Sequence, residues 1–256
     1  MRRAAVKRLP VVGLPLVADA GEQGPDPTHE ALTARVGAAC AQALGEALAG
    51  DAPLRTLCEV LEEAYDTLDD LVHELEFSPP VACARGCFHC CFNQVSLTPP
   101  EALYLGLHIL ERFTPDQLAE TGRRVAHLLP LIKGRTHREL GDIRHLTPCI
   151  FLLDGACAVH EARPLACRGW NSVDAETCRL SFESNDPLAA IESHALQREL
   201  AGAVQEGLLL ASADQNLEAG YLVMTRAVHR MLERGTLRCA ADWLEHGPFF
   251  AAGAGC

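Results

Sequence analysis

Apolar positions recur at helical spacing over the first half of the chain, most regularly between residues 54 and 75. There the apolar residues alternate at intervals of three and four, which is typical of a heptad seam. They are Leu54, Leu57, Leu61, Ala64, Leu68, Leu71 and Leu75. A second helical pattern covers residues 28–49, and the short link between the two predicts an antiparallel helical hairpin over residues 28–77. The seam is expected to pack within the chain, with a protein partner or a homodimer at this hairpin as the alternative.

Capping signals predict the next two helices. Thr98 and Thr114 are each followed by proline and, three residues on, by Glu101 or Gln117, so helices are predicted to about residues 113 and 132. Residues 133–147 are polar and are predicted to be irregular.

An Asp154-Gly155 turn between two apolar runs predicts a small β-hairpin over residues 149–159. Three further helices are predicted over 187–211, 216–234 and 236–246. The predicted fold class is mainly α, a helical bundle with one small β-hairpin and a loop-rich cysteine metal centre.

Four segments follow from this pattern: a flexible basic arm (1–27), the helical hairpin (28–77), a cysteine-rich metal-binding segment (78–182) and C-terminal helices that pack on it (183–256). The arm resembles a signal peptide in its early arginines. Its apolar stretch, however, is interrupted by Pro10, Gly13 and Pro15, which disfavours an export signal.

The charge balance narrows the classes of partner. The formal net charge is −12, from 34 acidic and 22 basic residues, whereas nucleic-acid binders present a basic face. No apolar run approaches the roughly 18 residues that a membrane span needs. A soluble, cytoplasmic protein that binds neither nucleic acid nor membrane is expected.

Twelve cysteines are unusual for a cytoplasmic chain of 256 residues and indicate either disulfides or metal ligation. Their spacing favours metal, because a C-x-x-C step lets two thiolates from one turn reach the same ion. Eight candidate ligands occupy two groups: Cys83, Cys87, Cys90, Cys91, and then Cys149, Cys157, Cys167, Cys178. Eight thiols suit two zinc sites, two four-cysteine clusters, or one cluster with additional reactive thiols, and spacing does not choose among them. Cys40, Cys58, Cys239 and Cys256 are interpreted as small buried hydrophobes.

Three motifs carry a family resemblance. They run from Cys83 to Cys91, from Pro148 to Leu152, and from Cys157 to Arg168 in the pattern Cys-Ala-Val-His-Glu-Ala-Arg-Pro-Leu-Ala-Cys-Arg. Together they resemble the YkgJ-like CxxCxxCC cysteine-cluster family, described as a zinc- or iron-chelating domain. The resemblance implies an iron–sulfur cluster, expected as 4Fe-4S, or zinc. It also links the chain to flagellin lysine N-methylase, which makes a cluster-dependent protein-modifying enzyme a remote alternative.

The third motif contains two arginines that are candidate cofactor-binding residues. Arg163 and Arg168 could balance the charge of a thiolate-rich centre, or they could form ordinary salt bridges with Glu161 or another acid. His160 stands where the family usually has tyrosine and, like His89, is a possible but unassigned ligand. The sequence thus predicts an iron–sulfur protein with an electron-transfer or redox role, with a zinc-binding scaffold as the alternative. Whether it is an enzyme stays open.

Overall fold

A computed structural model describes residues 17–19 and 27–247. Within those residues the chain is mainly helical, with three two-stranded sheets, which confirms the predicted fold class. The α-helices are α1 (Pro27–Leu48), α2 (Pro53–Glu74), α3 (Pro99–Arg112), α4 (Pro115–Ile132), α5 (His137–Asp142), α6 (Leu165–Gly169), α7 (Ala175–Glu183), α8 (Ala195–Asp214), α9 (Met224–Arg234) and α10 (Thr236–Leu244).

Each of the three sheets is a single pair of short strands. One pair is parallel and the other two are antiparallel. The pairs are β1 (Val17–Asp19) with β2 (Glu76–Ser78), β3 (Ser96–Leu97) with β6 (Leu222–Val223), and β4 (Leu152–Leu153) with β5 (Ala156–Cys157). The last pair is the predicted hairpin around Asp154-Gly155.

The heptad seam of α2 lies in the chain's own core. Leu57, Leu61 and Leu68 are at most 2% exposed, and they join one hydrophobic cluster that also contains residues of α1, α3, α4, α8, α9 and α10. The acidic face of α2, including Asp66 and Asp70, remains exposed. The face of α2 that remains exposed is therefore acidic rather than apolar.

Helices α1 and α8 meet at backbone distance. A Cβ atom added to Gly207 would lie 2.4 Å from the carbonyl oxygen of Gly37, so a larger residue would force the two helices apart. Helix α8 also packs against α6, which belongs to the cysteine-rich segment. The C-terminal helices thus pack on the helical hairpin as well as on the cysteine-rich segment.

Short helices occur in two places where the sequence pattern predicts none. Residues 133–147 were predicted to be irregular, but Thr136 and Glu139 form a capping box that starts α5, and a 3-10 helix follows over Arg144–Leu146. Helix α7 was not predicted, although Asp174 caps it by accepting a hydrogen bond from the amide of Glu176 at 2.9 Å.

Two of the three helices predicted after residue 183, those over 187–211 and 216–234, begin later than expected. Residues 187–194 are not helical, and the amide of Val173 donates to the carbonyl of Glu192 at 3.1 Å instead. Helix α9 begins only at Met224 because residues 222 and 223 pair with β3. In both places a tertiary hydrogen bond replaces the local helical pattern.

The ends of the chain are described only in part. Residues 17–19 of the predicted arm form β1, while residues 1–16 and 20–26 and the C-terminal segment with Cys256 lie outside the described residues. Among the helices that are described, none has both the length and the apolar character needed to cross a membrane.

Candidate metal centre

The first cysteine loop, residues 81–93, connects β2 to β3 and folds into tight turns. Gly86 has φ +93°, a conformation that favours glycine, and the amide of Cys87 then donates to the carbonyl of Ala84 at 3.0 Å. A 3-10 helix over His89–Phe92 follows. The C-x-x-C step therefore lies in the turn geometry that its spacing predicts.

Two backbone hydrogen bonds join this loop to distant parts of the chain. The amide of Cys149 donates to the carbonyl of Cys91 at 2.7 Å, and the amide of Ala82 donates to the carbonyl of Ser172 at 2.8 Å. The first bond brings the second motif to the first, and the second bond brings in the segment that leads to Cys178 on α7. The first two motifs and the segment that follows the third are thereby gathered in one region.

The third motif reaches the same region through β5 and α6. Leu152 pairs with Cys157 in the β4–β5 hairpin, and the amide of Ala158 donates to the carbonyl of Phe151 at 2.9 Å. Cys167 lies on α6, where its amide donates to the carbonyl of Pro164 at 2.8 Å. All eight predicted ligands are exposed or partly exposed at residue level.

One group of thiols consists of Cys149, Cys157, Cys167 and Cys90. Burial of its sulfur and, less strongly, the neighbouring Cys157 and Cys90 raise the pKa of Cys149 to about 12. Burial followed by Cys149, Cys90 and Cys157 raises the pKa of Cys167 well above its usual range. The pKa of Cys157 is raised by burial and also by Cys90.

A second group consists of Cys83, Cys87, Cys90 and Cys178. Burial raises the pKa of Cys83, with additional contributions from Cys87, Cys90 and Cys178. Cys90 belongs to both groups, and its pKa is raised chiefly by a hydrogen bond with the Cys91 thiol and then by burial. Without added positive charge, the thiols of both groups disfavour one another's ionisation.

The thiols lie near one another, but their sulfur atoms do not converge on a single metal-binding position. Within residues 17–19 and 27–247, no three His, Cys, Asp or Glu side chains are arranged so that they could hold one metal ion. The eleven cysteines among these residues are all free thiols.

Arg163 is a cation that acts on several of the thiols. It acts to lower the pKa of Cys90, Cys157 and Cys167, opposing the effects that raise them. Its Nε atom is buried and makes no hydrogen bond among the described residues, and no carboxylate in that part of the chain pairs with it. Of the two open interpretations, a charge partner for the thiols describes its surroundings better.

Arg168 is held differently. It is 4% exposed, forms a salt bridge with Asp69 of α2, and lies 4.2 Å above the ring of Tyr65. It also donates to the carbonyls of Glu161 at 2.7 Å and Arg163 at 3.2 Å. The salt-bridge interpretation, with Asp69 as the acid, therefore describes Arg168, and its effect on the pKa of Cys157 is the smallest of those acting there.

Aromatic rings cover one side of the first cysteine loop. Phe182 of α7 packs 4.5 Å from Phe92 and 5.7 Å from His89, measured between ring centroids. The Nδ1 atom of His89 is buried and has no hydrogen-bond partner among the described residues. His160 is largely exposed, and partial burial followed by Arg163 and Arg168 lowers its pKa.

Glu101 is a positioning residue whose role the sequence did not reveal. It is 1% exposed, and its carboxylate accepts hydrogen bonds from the amides of Thr98 and Leu165, each at 2.8 Å, and from Gln205 at 3.0 Å. Leu165 is the first residue of α6, so Glu101 fixes the helix that carries Cys167. The capping box revealed the bond to Thr98, but nothing in the sequence revealed the two distant partners.

Comparisons with known proteins give no relative: the chain matches no family model, no curated protein and no solved structure.

Proposed function

We propose that this chain binds a thiol-ligated metal centre, an iron–sulfur cluster of the 4Fe-4S type with an electron-transfer or redox role. The observation that carries the proposal is the gathering of eight free cysteines into one region, seven from the three motifs and Cys178 from α7. The resemblance of those motifs to the YkgJ-like family supports the same assignment.

The charge state of the thiols supports a bound cation. The pKa values of five of the eight are raised, and proximity to other thiols contributes to each of them. A coordinated metal reverses this penalty, because a ligating thiol is deprotonated outright. A region so rich in neighbouring thiols, in which Arg163 offsets the raised pKa of only some of them, suits a metal better than it suits free thiolates.

The sulfur atoms do not converge on one position, but the free energy needed to reorient them is small compared with the free energy of metal binding. Rotating a cysteine side chain between staggered positions costs at most about 1 kcal/mol, whereas structural zinc sites gain roughly 10–16 kcal/mol of apparent binding free energy.

Arg163 and the aromatic cover favour a redox centre. A buried guanidinium N–H without a partner is available to donate to a thiolate or a sulfide, and hydrogen bonds to sulfur tune the reduction potential. Phe92 and Phe182 limit the access of water on one side. A cluster in this place would supply one-electron transfer, and four of the eight candidate cysteines would hold it.

A zinc-binding scaffold is the second candidate. Zinc accepts the same thiolates, and availability in the cell decides between the metals. The exposed acidic face of α2 would then be the surface offered to a protein partner. A cluster-dependent protein-modifying enzyme is the remote third, with the family resemblance as its support.

The test is purification without oxygen, followed by a visible absorption spectrum and analysis of iron, sulfide and zinc on the same sample. The proposal expects brown protein with iron and sulfide in similar amounts. Colourless protein with one or two zinc ions per chain would replace the redox role by the scaffold role, and protein with neither metal would refute both.

A further inference from the structure

A cleft of about 500 Å³ lies between α4 and the second cysteine motif. One wall is a face of α4 with Glu120, Arg123, Arg124 and His127, and the opposite wall includes Leu152. Cys149 also lines the cleft, so the cleft opens beside the cysteine groups.

The polar wall carries a local surplus of positive charge. Arg123 and Arg124 share the single carboxylate of Glu120, at 2.7 Å each, and both arginines lower its pKa. Two guanidinium groups against one carboxylate leave a formal charge of +1, in a chain whose formal net charge is −12.

The arginines keep hydrogen-bond donors free for a ligand. Arg124 donates from Nη1 to the carbonyl of Leu152 at 2.6 Å, which fixes its guanidinium across the cleft. Among the described residues, Nη1 of Arg123 and Nη2 of Arg124 have no acceptor. Guanidinium donors match the geometry of a carboxylate, which can accept two parallel hydrogen bonds.

The apolar part of the cleft indicates which chemical group the carboxylate belongs to. Leu128, Pro148 and Leu152 give the cleft apolar surface beside the arginines. A formal charge of +1 suits a monoanion, and the apolar wall suits an organic group better than a bare inorganic ion. We propose that this cleft binds a small organic carboxylate beside the cysteine centre. This site does not depend on which metal the thiols hold.

The experiment is isothermal titration calorimetry at pH 7 with protein purified without oxygen. The probe is N-acetyl-leucine, and its uncharged control is N-acetyl-leucinamide, which has nearly the same shape. The acid is expected to bind at least about tenfold more tightly than the amide, because hydrogen bonds to a charged acceptor are stronger.

Two arginine variants locate the site. Arg123→Gln is expected to weaken binding of the acid about tenfold or more, and because Arg123 is exposed the variant should fold normally. Arg135→Gln is the matched control: it removes the same charge from an exposed position that follows α4 and does not line the cleft. It should leave binding within about twofold of the wild-type value.

Three results would overturn the cleft proposal: equal binding of acid and amide, equal weakening by both variants, or binding of inorganic phosphate with no binding of the acid at millimolar concentration. Metal analysis of the same samples separates this proposal from the proposed function. Metal-free protein that still binds the acid would contradict only the metal centre, and metal-loaded protein that does not bind it would contradict only the cleft.

Discussion

Cys40 and Cys239 lie in the helical core, fully buried, whereas Cys87 and Cys149 lie in loops that leave them partly exposed. Burial of the sulfur raises the pKa of both Cys40 and Cys149 to about 12, so the difference lies in the surroundings: the Cys40 thiol lies in the hydrophobic core, where it packs as a small apolar side chain. In the cysteine-rich segment, thiols from distant motifs are brought together instead of being spread through the core. The contrast shows that position in the fold, rather than residue type, separates structural cysteines from candidate ligands.

The largest expected effect comes from substituting ligands in either loop. Cys87→Ser and Cys149→Ser should each reduce bound metal at least about tenfold, because each removes a thiolate that serine does not replace. Metal content per chain, measured after purification without oxygen, checks this.

Cys58→Ser is the control, since Cys58 is a partly exposed thiol on α2 outside the three motifs. Its metal content should equal that of the wild type. Loss of metal in all three variants, or in none, would remove the distinction between the two classes of cysteine.

Substitution of Glu101 should destabilise the fold next most strongly. Glu101→Ala leaves the buried amides of Thr98 and Leu165 and the side chain of Gln205 without an acceptor, and about 3 kcal/mol of unfolding free energy should be lost. Urea unfolding measures this loss.

Gln117→Ala is the matched control, because Gln117 forms the same capping box with Thr114 at an exposed site. It should cost less than about 1 kcal/mol. Similar losses for the two variants would mean that the bonds of Glu101 to Leu165 and Gln205 contribute little.

Substitutions of the two arginines of the third motif should have different effects, one on the stability of the fold and the other on the properties of the metal centre. Arg168→Ala should cost about 2 kcal/mol of unfolding free energy, because the contacts with Asp69 and Tyr65 are lost. Arg163→Ala should cost less than about 1 kcal/mol but should lower the reduction potential or the metal affinity of the centre. Chemical unfolding and redox titration of both variants measure this. The prediction would be contradicted if Arg163→Ala lowered the stability and Arg168→Ala changed the reduction potential instead.

The smallest effect concerns pH. Burial raises the pKa of Glu101 above its usual value of 4.5, so the folded chain keeps this proton at pH values where the unfolded chain has lost it. The contribution of Glu101 to stability is therefore complete below pH 4.5 and falls as pH rises towards its folded pKa. The loss amounts to about 1.4 kcal/mol for each unit by which the pKa is raised.

Urea unfolding of the wild type and Glu101→Gln between pH 4 and pH 7 measures this contribution by difference. The wild type should lose stability relative to the variant as pH increases. A relative gain would mean that the hydrogen bonds to the carboxylate outweigh its burial.

Much of the helical core could be predicted from the sequence, because long periodic segments specify both a helix and its buried face. The seam from Leu57 to Leu75 and the capping boxes at Thr98 and Thr114 appear as predicted. Helices α5 and α7 are too short for periodicity to show, and the capping residues Thr136 and Asp174 that begin them did not enter the prediction.

The sequence was sufficient to choose the residues of the candidate site but not to predict how they are arranged in space. Spacing identified the eight cysteines, but nothing local indicated that Cys90 would neighbour both groups. The partner of Arg168 is 99 residues away at Asp69, and that of Glu101 is 64 residues away at Leu165. Such pairings depend on how the helices pack, which a single sequence does not specify.

X-ray absorption at the metal edge of protein purified without oxygen tests the thiol-ligated centre most directly. A first shell of sulfur alone is predicted, at about 2.3 Å if the metal is zinc, and an iron–sulfur cluster would add an iron neighbour beyond it. A first shell dominated by nitrogen or oxygen would contradict the assignment of the cysteines as ligands.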